Sequence, residues 1–294
     1  MIIDVHTHTP RFRERVPDEF GAKAVNTKWS PRGARPLVYT WAEFEEALKP
    51  VDRAICFNIA QAPTGNERVD EPYVVPAPQV NDETAAFVQS NPDKYIGFLS
   101  VHPDDPGLLD EMERCTRELG LRGIKLGLNY QNADPFGDGA RRIFRYAEEH
   151  RLPVLLHQGT SPVQFADIDF AHPRHTDRIA IEFPKLTIIM AHVGHPFCAD
   201  SLVVARKHPH VWADISGTVL RPYGLYQAMV TAQEWGVLDR LLFGSDYPAS
   251  TPEETMRLLR AVNDAAPGPN APRIPEEAIE AIIHRDSLPL LGLD

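Results

Sequence analysis

Eight short apolar runs punctuate the chain, at residues 2–8, 53–60, 95–102, 123–128, 153–159, 186–194, 211–217 and 240–246. Their lengths suit buried strands. Several stretches between them carry helical spacing instead. Residues 41–49 set Trp41, Phe44 and Leu48 on one face, and 81–90, 106–119, 139–150 and 201–208 follow the same logic. Asn81 is placed to cap the second of these, and Pro106 to open the third. A strand–helix rhythm repeated eight times predicts a parallel sheet with helical crossovers. Closed on itself, such a sheet is a (β/α)8 barrel, an α/β fold of about 250 residues. Residues 1–294 are read as one such barrel domain. An open doubly wound sheet shares the rhythm, but no GxGxxG follows the first run as a dinucleotide fold would require.

The connections at 9–52 and 61–80 are long and rich in Pro, Gly, Arg and Asn, which suits loops that build the mouth of a barrel. Acidic residues outnumber basic ones 41 to 30, for a net charge of −11. That balance, with no strongly basic run, argues against nucleic acid and against anionic membrane surfaces as partners. No apolar stretch reaches the ~18 residues of a membrane span, and no leader pattern opens the chain. Three widely spaced cysteines, Cys56, Cys115 and Cys198, suit a reducing compartment, so a cytoplasmic protein is expected.

Chemistry in a barrel gathers at the C-terminal ends of strands. The first run ends in His6 and His8, the fifth in His157, the sixth in His192 and the eighth in Asp246, while the fourth carries Lys125. Strict alternation places Asp4, His6 and His8 on one face, with Asp4 a layer deeper and able to orient a ligand histidine. Three imidazoles and a carboxylate suit one divalent ion, zinc first and manganese second, and make water available as a nucleophile. His6, His8, His157 and Asp246 read as its ligands. His192 is then the acid–base group, or a fifth ligand. Each has a plainer reading: a polar chain start for His6 and His8, a core histidine for His157, a helix cap for Asp246. Their recurrence at the same end of one fold favours the site.

The stretches IIDVHTH, NDETAAFVQSNPDKYIGFLSVHP, RGIKLGLNYQ, PVLLHQGT, FPKLTIIMAHVGHP, HPHVWADISG and LLFGSDYP occur in this order over nearly the whole chain. Together they resemble the amidohydrolase superfamily, in the amidohydrolase-2 branch that includes aminocarboxymuconate-semialdehyde decarboxylase and the resorcylate decarboxylases. The resemblance implies metal ligation by His6, His8, His157 and Asp246, with His192 and Asp246 in catalysis. It also implies a small-molecule substrate, in several relatives a carboxylic acid, and often a homodimer. His195 and Pro196 follow Gly194 where many members carry glycine, and the chain is shorter than those decarboxylases lead one to expect. Both departures favour a hydrolase of an ester, lactone, amide or β-dicarbonyl. Nonoxidative decarboxylation of an aromatic or unsaturated acid is the competing reading, and a noncatalytic binding barrel the third.

Other residues are less specific. Lys125 shares its face with Gly123 and Gly127; related binuclear enzymes carbamylate such a lysine, but an ammonium bonded to Asp4, Asp246 or substrate fits the mononuclear branch better. Asp214 is placed to face the barrel with Trp212 and Ser216. His102 reads as a turn residue, His172 and His175 as exposed loop residues, and His195 as either mouth or loop. Among Arg11, Arg13, Arg32 and Arg35, one is a candidate to grip a substrate carboxylate; Trp29 and Tyr73 are candidates to line the pocket.

Overall fold

In the computed structural model, residues 1–18, 38–62, 74–161 and 163–294 are described. Trp29, Arg32, Arg35 and Tyr73 lie outside them. The strands are β1 (Ile3–His8), β2 (Arg53–Phe57), β3 (Ile59–Gln61), β4 (Val74–Pro76), β5 (Tyr95–Leu99), β6 (Gly123–Leu126), β7 (Val154–Leu156), β8 (Ile188–Met190), β9 (Val211–Asp214) and β10 (Leu241–Leu242). Eight of them form one parallel sheet in the order β1-β2-β5-β6-β7-β8-β9-β10, and β3 pairs with β4 apart from it. The sheet closes where β1 meets the segment after β10: Val5 N donates to Phe243 O, Asp246 N to His6 O and His8 N to Tyr247 O, at 2.8–3.0 Å. This is the expected α/β barrel.

Alternation sorts the strand residues into two layers. Ile55, Phe57, Ile96, Phe98, Leu155, Ile189, Trp212 and Leu242 share the inner cluster. Ala54, Cys56, Leu99, Ile124, Leu126, Val154, Met190 and Ala213 pack outward in the larger cluster with helix residues such as Phe44, Met112, Phe144 and Leu259. The short C-terminal helix Leu288–Leu291 places Leu288 and Leu291 in the inner cluster with Ile3 and Trp212. The N-terminal end of the barrel is thereby filled with apolar side chains, and the polar groups gather at the other end.

Strict alternation fails once, on β1. Asp4 pairs with Ala54 and His8 with Phe57, so three steps on β1 (Asp4 to Thr7) oppose two on β2 (Ala54 to Cys56). The extra residue is a bulge, which re-aims side chains next to functional sites. It puts Asp4 in register with the outer layer and His8 with the inner one. The expectation that Asp4 underlies His6 and His8 on one face is therefore corrected.

Helices run close to the expected positions, at Trp41–Ala47, Gln79–Ser90, Leu108–Arg117, Asp138–His150 and Cys198–Lys207. Thr40 and Glu43 form a reciprocal capping box on the first. Asn81 is not a cap, because its helix begins two residues earlier. Its buried amide instead joins helix to strand, donating to Ser100 O at 3.0 Å and Glu111 Oε1 at 2.8 Å and accepting from Ser100 N at 2.8 Å. Pro106 likewise precedes its helix, which starts at Leu108. Among the described residues no helix is long and apolar enough to cross a membrane.

Candidate metal centre

Several strands are shorter than their apolar runs because the chain leaves the ladder to aim polar groups over the mouth. After β8, His192 and Val193 sit at φ 59° and 42°, and after β10 Asp246 sits at φ 59°. Left-handed backbone at non-glycine residues costs roughly 1–3 kcal/mol each and needs surroundings that enforce it. For His192 those are on hand: its N–H donates to Asp214 Oδ1 at 3.0 Å and its carbonyl accepts from Thr218 Oγ1 at 2.5 Å.

The barrel brings the expected histidines and Asp246 together. One ligand atom each from His6, His192 and Asp246 lies within 4.8 Å of the other two. His8 Nε2 and His6 Nε2 are both 3.4 Å from Asp246 Oδ1. His157 joins through His192, with ring centroids 5.0 Å apart, and His6 lies 4.8 Å from His192 by the same measure. Phe57 is a common floor: its ring lies 5.0 Å from that of His6 and 5.5 Å from that of His8.

Hydrogen bonding assigns the protons. His6 Nδ1 faces Asp214 Oδ2 at 2.9 Å, and an ionised carboxylate only accepts, so this nitrogen carries the hydrogen. In the neutral ring the lone pair is then on Nε2, which is buried and without a hydrogen-bond partner among the described residues. By the same logic His192 Nδ1 donates to Ser216 O at 3.1 Å and keeps a lone pair on Nε2. His157 Nε2 donates to Thr160 O at 3.3 Å, leaving Nδ1 as its acceptor atom.

Electrostatics point the same way. Burial pushes His8 down, His157 well below its ordinary value, and His192 down to about 4, the neutral forms that bind metals. Burial pushes the Asp246 carboxyl up, but the histidines around it outweigh burial and hold it well below the usual range. Asp214 behaves alike, with His6 overcoming burial to hold it at about 2. A buried His6 Nε2 without a hydrogen-bond partner thus lies 3.4 Å from a carboxylate oxygen of Asp246. That juxtaposition fits a divalent cation.

The support beneath the site differs from expectation. Asp214, on the inner face with Trp212, orients His6 and also accepts from Ser216 N at 3.0 Å and from Ser216 Oγ. Asp4 does not orient a histidine ring; its Oδ1 accepts from the backbone of His6 at 3.1 Å and Ser245 at 2.9 Å, pinning β1 to the barrel seam. Burial raises its carboxyl to about 7. Gly217, at φ +62°, lies so close that a Cβ there would sit 3.0 Å from His192 Nδ1 and 3.4 Å from Asp246 Oδ2. The SG pair ending WADISG was the available signal for it.

Lys125 is 1% exposed on β6, opposite Leu155, and so faces inward as expected. Its Nζ lies 4.6 Å over the Phe57 ring. Burial pulls it down to about 7, opposed by the charges of Asp214 and Asp246. Arg11 pairs with Glu83 at 3.1 Å and Arg13 stacks over Trp41 at 5.0 Å, which accounts for both in the packing of the first loop. The arginine within electrostatic reach of Asp246 is Arg221, half-buried and donating to Gly217 O at 2.9 Å. No pattern in its neighbourhood announced it.

The remaining histidines are structural or peripheral. His102 is a buried turn residue whose Nε2 donates to Gln131 O at 2.7 Å. His172 and His175 are half-buried, contrary to expectation: His172 caps helix Pro173–Glu182 and stacks on Phe197 at 4.2 Å, and His175 meets the Phe136 ring at 5.3 Å. His195 sits against Gly224 at the start of helix Pro222–Glu234, and burial with the Arg221 charge pushes it down to about 4.

A closed parallel barrel with imidazoles and a carboxylate gathered at its C-terminal mouth is a scaffold suited to holding a divalent cation. The amidohydrolase family model matches residues 3–293, and the chain belongs to that family. A curated relative, 2-amino-3-carboxymuconate-6-semialdehyde decarboxylase of Dictyostelium discoideum, is 32% identical over 82 residues; the match covers 28% of this chain and 23% of that protein's length. Among solved structures, an uncharacterized TIM-barrel protein of Bordetella bronchiseptica superposes with TM-score 0.70 at 20% identity, covering 99% of this chain and 98% of that one. The manganese complex of 5-carboxyvanillate decarboxylase from Novosphingobium aromaticivorans gives 0.64 at 18% identity, covering 99% and 96%. The 4-oxalomesaconate hydratase of Rhodopseudomonas palustris gives 0.63 at 16%, covering 100% and 96%. At these identities the structural likenesses establish the barrel.

Proposed function

We propose that this chain is a divalent-metal-dependent hydrolase of a small carbonyl compound. The observation that carries the reading is the His6 Nε2–Asp246 Oδ1 pair at 3.4 Å, with His192 in the same cluster and His8 Nε2 also 3.4 Å from that oxygen. His6, His8, His157 and Asp246 would hold the ion, zinc first and manganese second. When bound, such an ion polarises a carbonyl and brings the pKa of water toward ~7. His192 takes up the proton of the attacking water at Nε2, its ring fixed by the Nδ1–Ser216 O bond. Asp214 keeps His6 in the tautomer that turns its lone pair to the centre. Arg221, which donates to Gly217 O and whose charge reaches Asp246, is the candidate to meet a substrate carboxylate. Cys56, Cys115 and Cys198, all free thiols, are compatible with a reducing, cytoplasmic setting.

Decarboxylation is the second reading, favoured by the curated relative and by the arginine near Asp246. A screen of esters, lactones, β-diketones and aromatic acids, before and after dialysis against chelator and after return of Zn2+ or Mn2+, tests both. Hydrolysis that disappears with the metal and returns with it supports the main reading. Metal-dependent release of carbon dioxide from an acid replaces it with the second, and turnover untouched by complete metal removal refutes both. His192→Asn separates base from ligand: a base variant keeps its metal content and loses turnover, and a ligand variant loses both.

A further inference from the structure

We propose that Lys125 is a substrate-binding residue, its ammonium reaching the anionic group of a substrate from the floor of the barrel mouth. The sequence offered three partners for this lysine: Asp4, Asp246 or substrate. Neither carboxylate is within hydrogen-bonding distance of its ammonium, although the charges of Asp214 and Asp246 act on it. Asp4 Oδ1 is taken by the backbone N–H groups of His6 and Ser245, on the register of the outer layer. Asp246 approaches His6 and His8. Among the described residues Lys125 Nζ makes no hydrogen bond or ion pair, and it lies 4.6 Å over the face of Phe57. A lysine only 1% exposed is among the most expensive groups to bury without a partner.

Its position is that of a group aimed at the centre. Lys125 pairs with Leu155, so His157 stands two residues further along the neighbouring strand, one layer higher on the same inner face. The Phe57 ring that carries Nζ also carries His6 and His8. The glycines on either side on that face, Gly123 and Gly127, leave its stem no flanking side chains of their own strand. A cation there selects a substrate with a carboxylate or oxyanion at its buried end. The inference rests on the reading that the mouth receives a small molecule, and it does not depend on which bond is broken.

The test is calorimetric titration of the full chain with benzoate, isophthalate and fumarate, each beside its uncharged amide, with metal content measured on every sample. Wild type is expected to prefer the acids. Lys125→Met is expected to lose that preference by about tenfold or more, the effect of one charge-assisted hydrogen bond, with amide binding and metal content unchanged. A wild type that does not distinguish acid from amide overturns the proposal, as does a preference that survives in Lys125→Met. A wild type without metal that still shows the Lys125-dependent preference overturns the metal reading alone. Should Lys125→Met not fold, reductive methylation of Lys125 in wild type, read by peptide mass, is expected to slow with isophthalate and not with isophthalamide; equal labelling overturns the proposal.

Discussion

The sharpest test of the proton assignment is Asp214→Asn. Asp214 is fully buried, and its two oxygens divide their work: Oδ1 accepts from His192 N, Ser216 N and Ser216 Oγ, while Oδ2 accepts from His6 Nδ1 at 2.9 Å. An asparagine can keep its oxygen where three donors converge. Its NH2 then replaces Oδ2 and meets His6 Nδ1 donor to donor, which drives the imidazole proton to Nε2. That nitrogen faces Asp246 Oδ1 at 3.4 Å, so an N–H would point where a lone pair is needed. Loss of such an orienting carboxylate typically weakens metal binding 10- to 100-fold, about 1.4–2.8 kcal/mol. The assay is competition for Zn2+ against a chromophoric chelator, paired with urea unfolding of the metal-free protein. Asp4→Asn is the control: Asp4 bonds to the backbone of His6 and to Ser245 and orients no imidazole ring, so metal affinity is expected to stay within about twofold, well below that loss. Unchanged zinc affinity in Asp214→Asn, or equal losses in both variants, would refute the tautomer argument.

Gly217→Ala is expected to damage the site without touching a ligand, because its Cβ would press on His192 Nδ1 at 3.0 Å and Asp246 Oδ2 at 3.4 Å. The left-handed backbone adds roughly 1–2 kcal/mol of destabilisation, readable as a lower urea midpoint; a variant as stable and as metal-avid as wild type would contradict the packing. Far from the site, burial pushes Glu111 up, but bonds from Arg114 and Asn81 outweigh it and leave its carboxyl below the ordinary value of 4.5. The unfolded chain therefore binds more protons in that window, so this contribution is present above pH ~4.5 and fades as pH falls through the lower folded value. Glu111→Gln is expected to show a shallower acid loss of unfolding free energy than wild type, and parallel curves would count against the ion pair. Chelation is expected to lower the thermal midpoint in wild type, since a ligand bound only by the folded state stabilises it, and an unmoved midpoint would argue against a bound ion.

How much of this was legible beforehand follows the range of each physical rule. Run length and the period of apolar residues are local, so the strand–helix rhythm and the barrel could be read directly. So could the inward parity of Lys125, His157 and Asp214, because β6, β7 and β9 alternate without interruption. The family motifs likewise lie in short contiguous stretches, and with them the histidines and Asp246 at the ends of the runs. What a one-dimensional pattern could not carry is any change of register or any partner from a distant strand. The bulge between Asp4 and Thr7 is invisible in alternation, and it transferred the orienting role from Asp4 to Asp214, 208 residues from the histidine it holds. Arg221 and Gly217 reach the centre only because β9 and β10 bring their loops beside His192 and Asp246. The lone Lys125 ammonium is the clearest case: its residue type and face were plain from the sequence, but that nothing described nearby pairs with it became evident only once the barrel had closed around it.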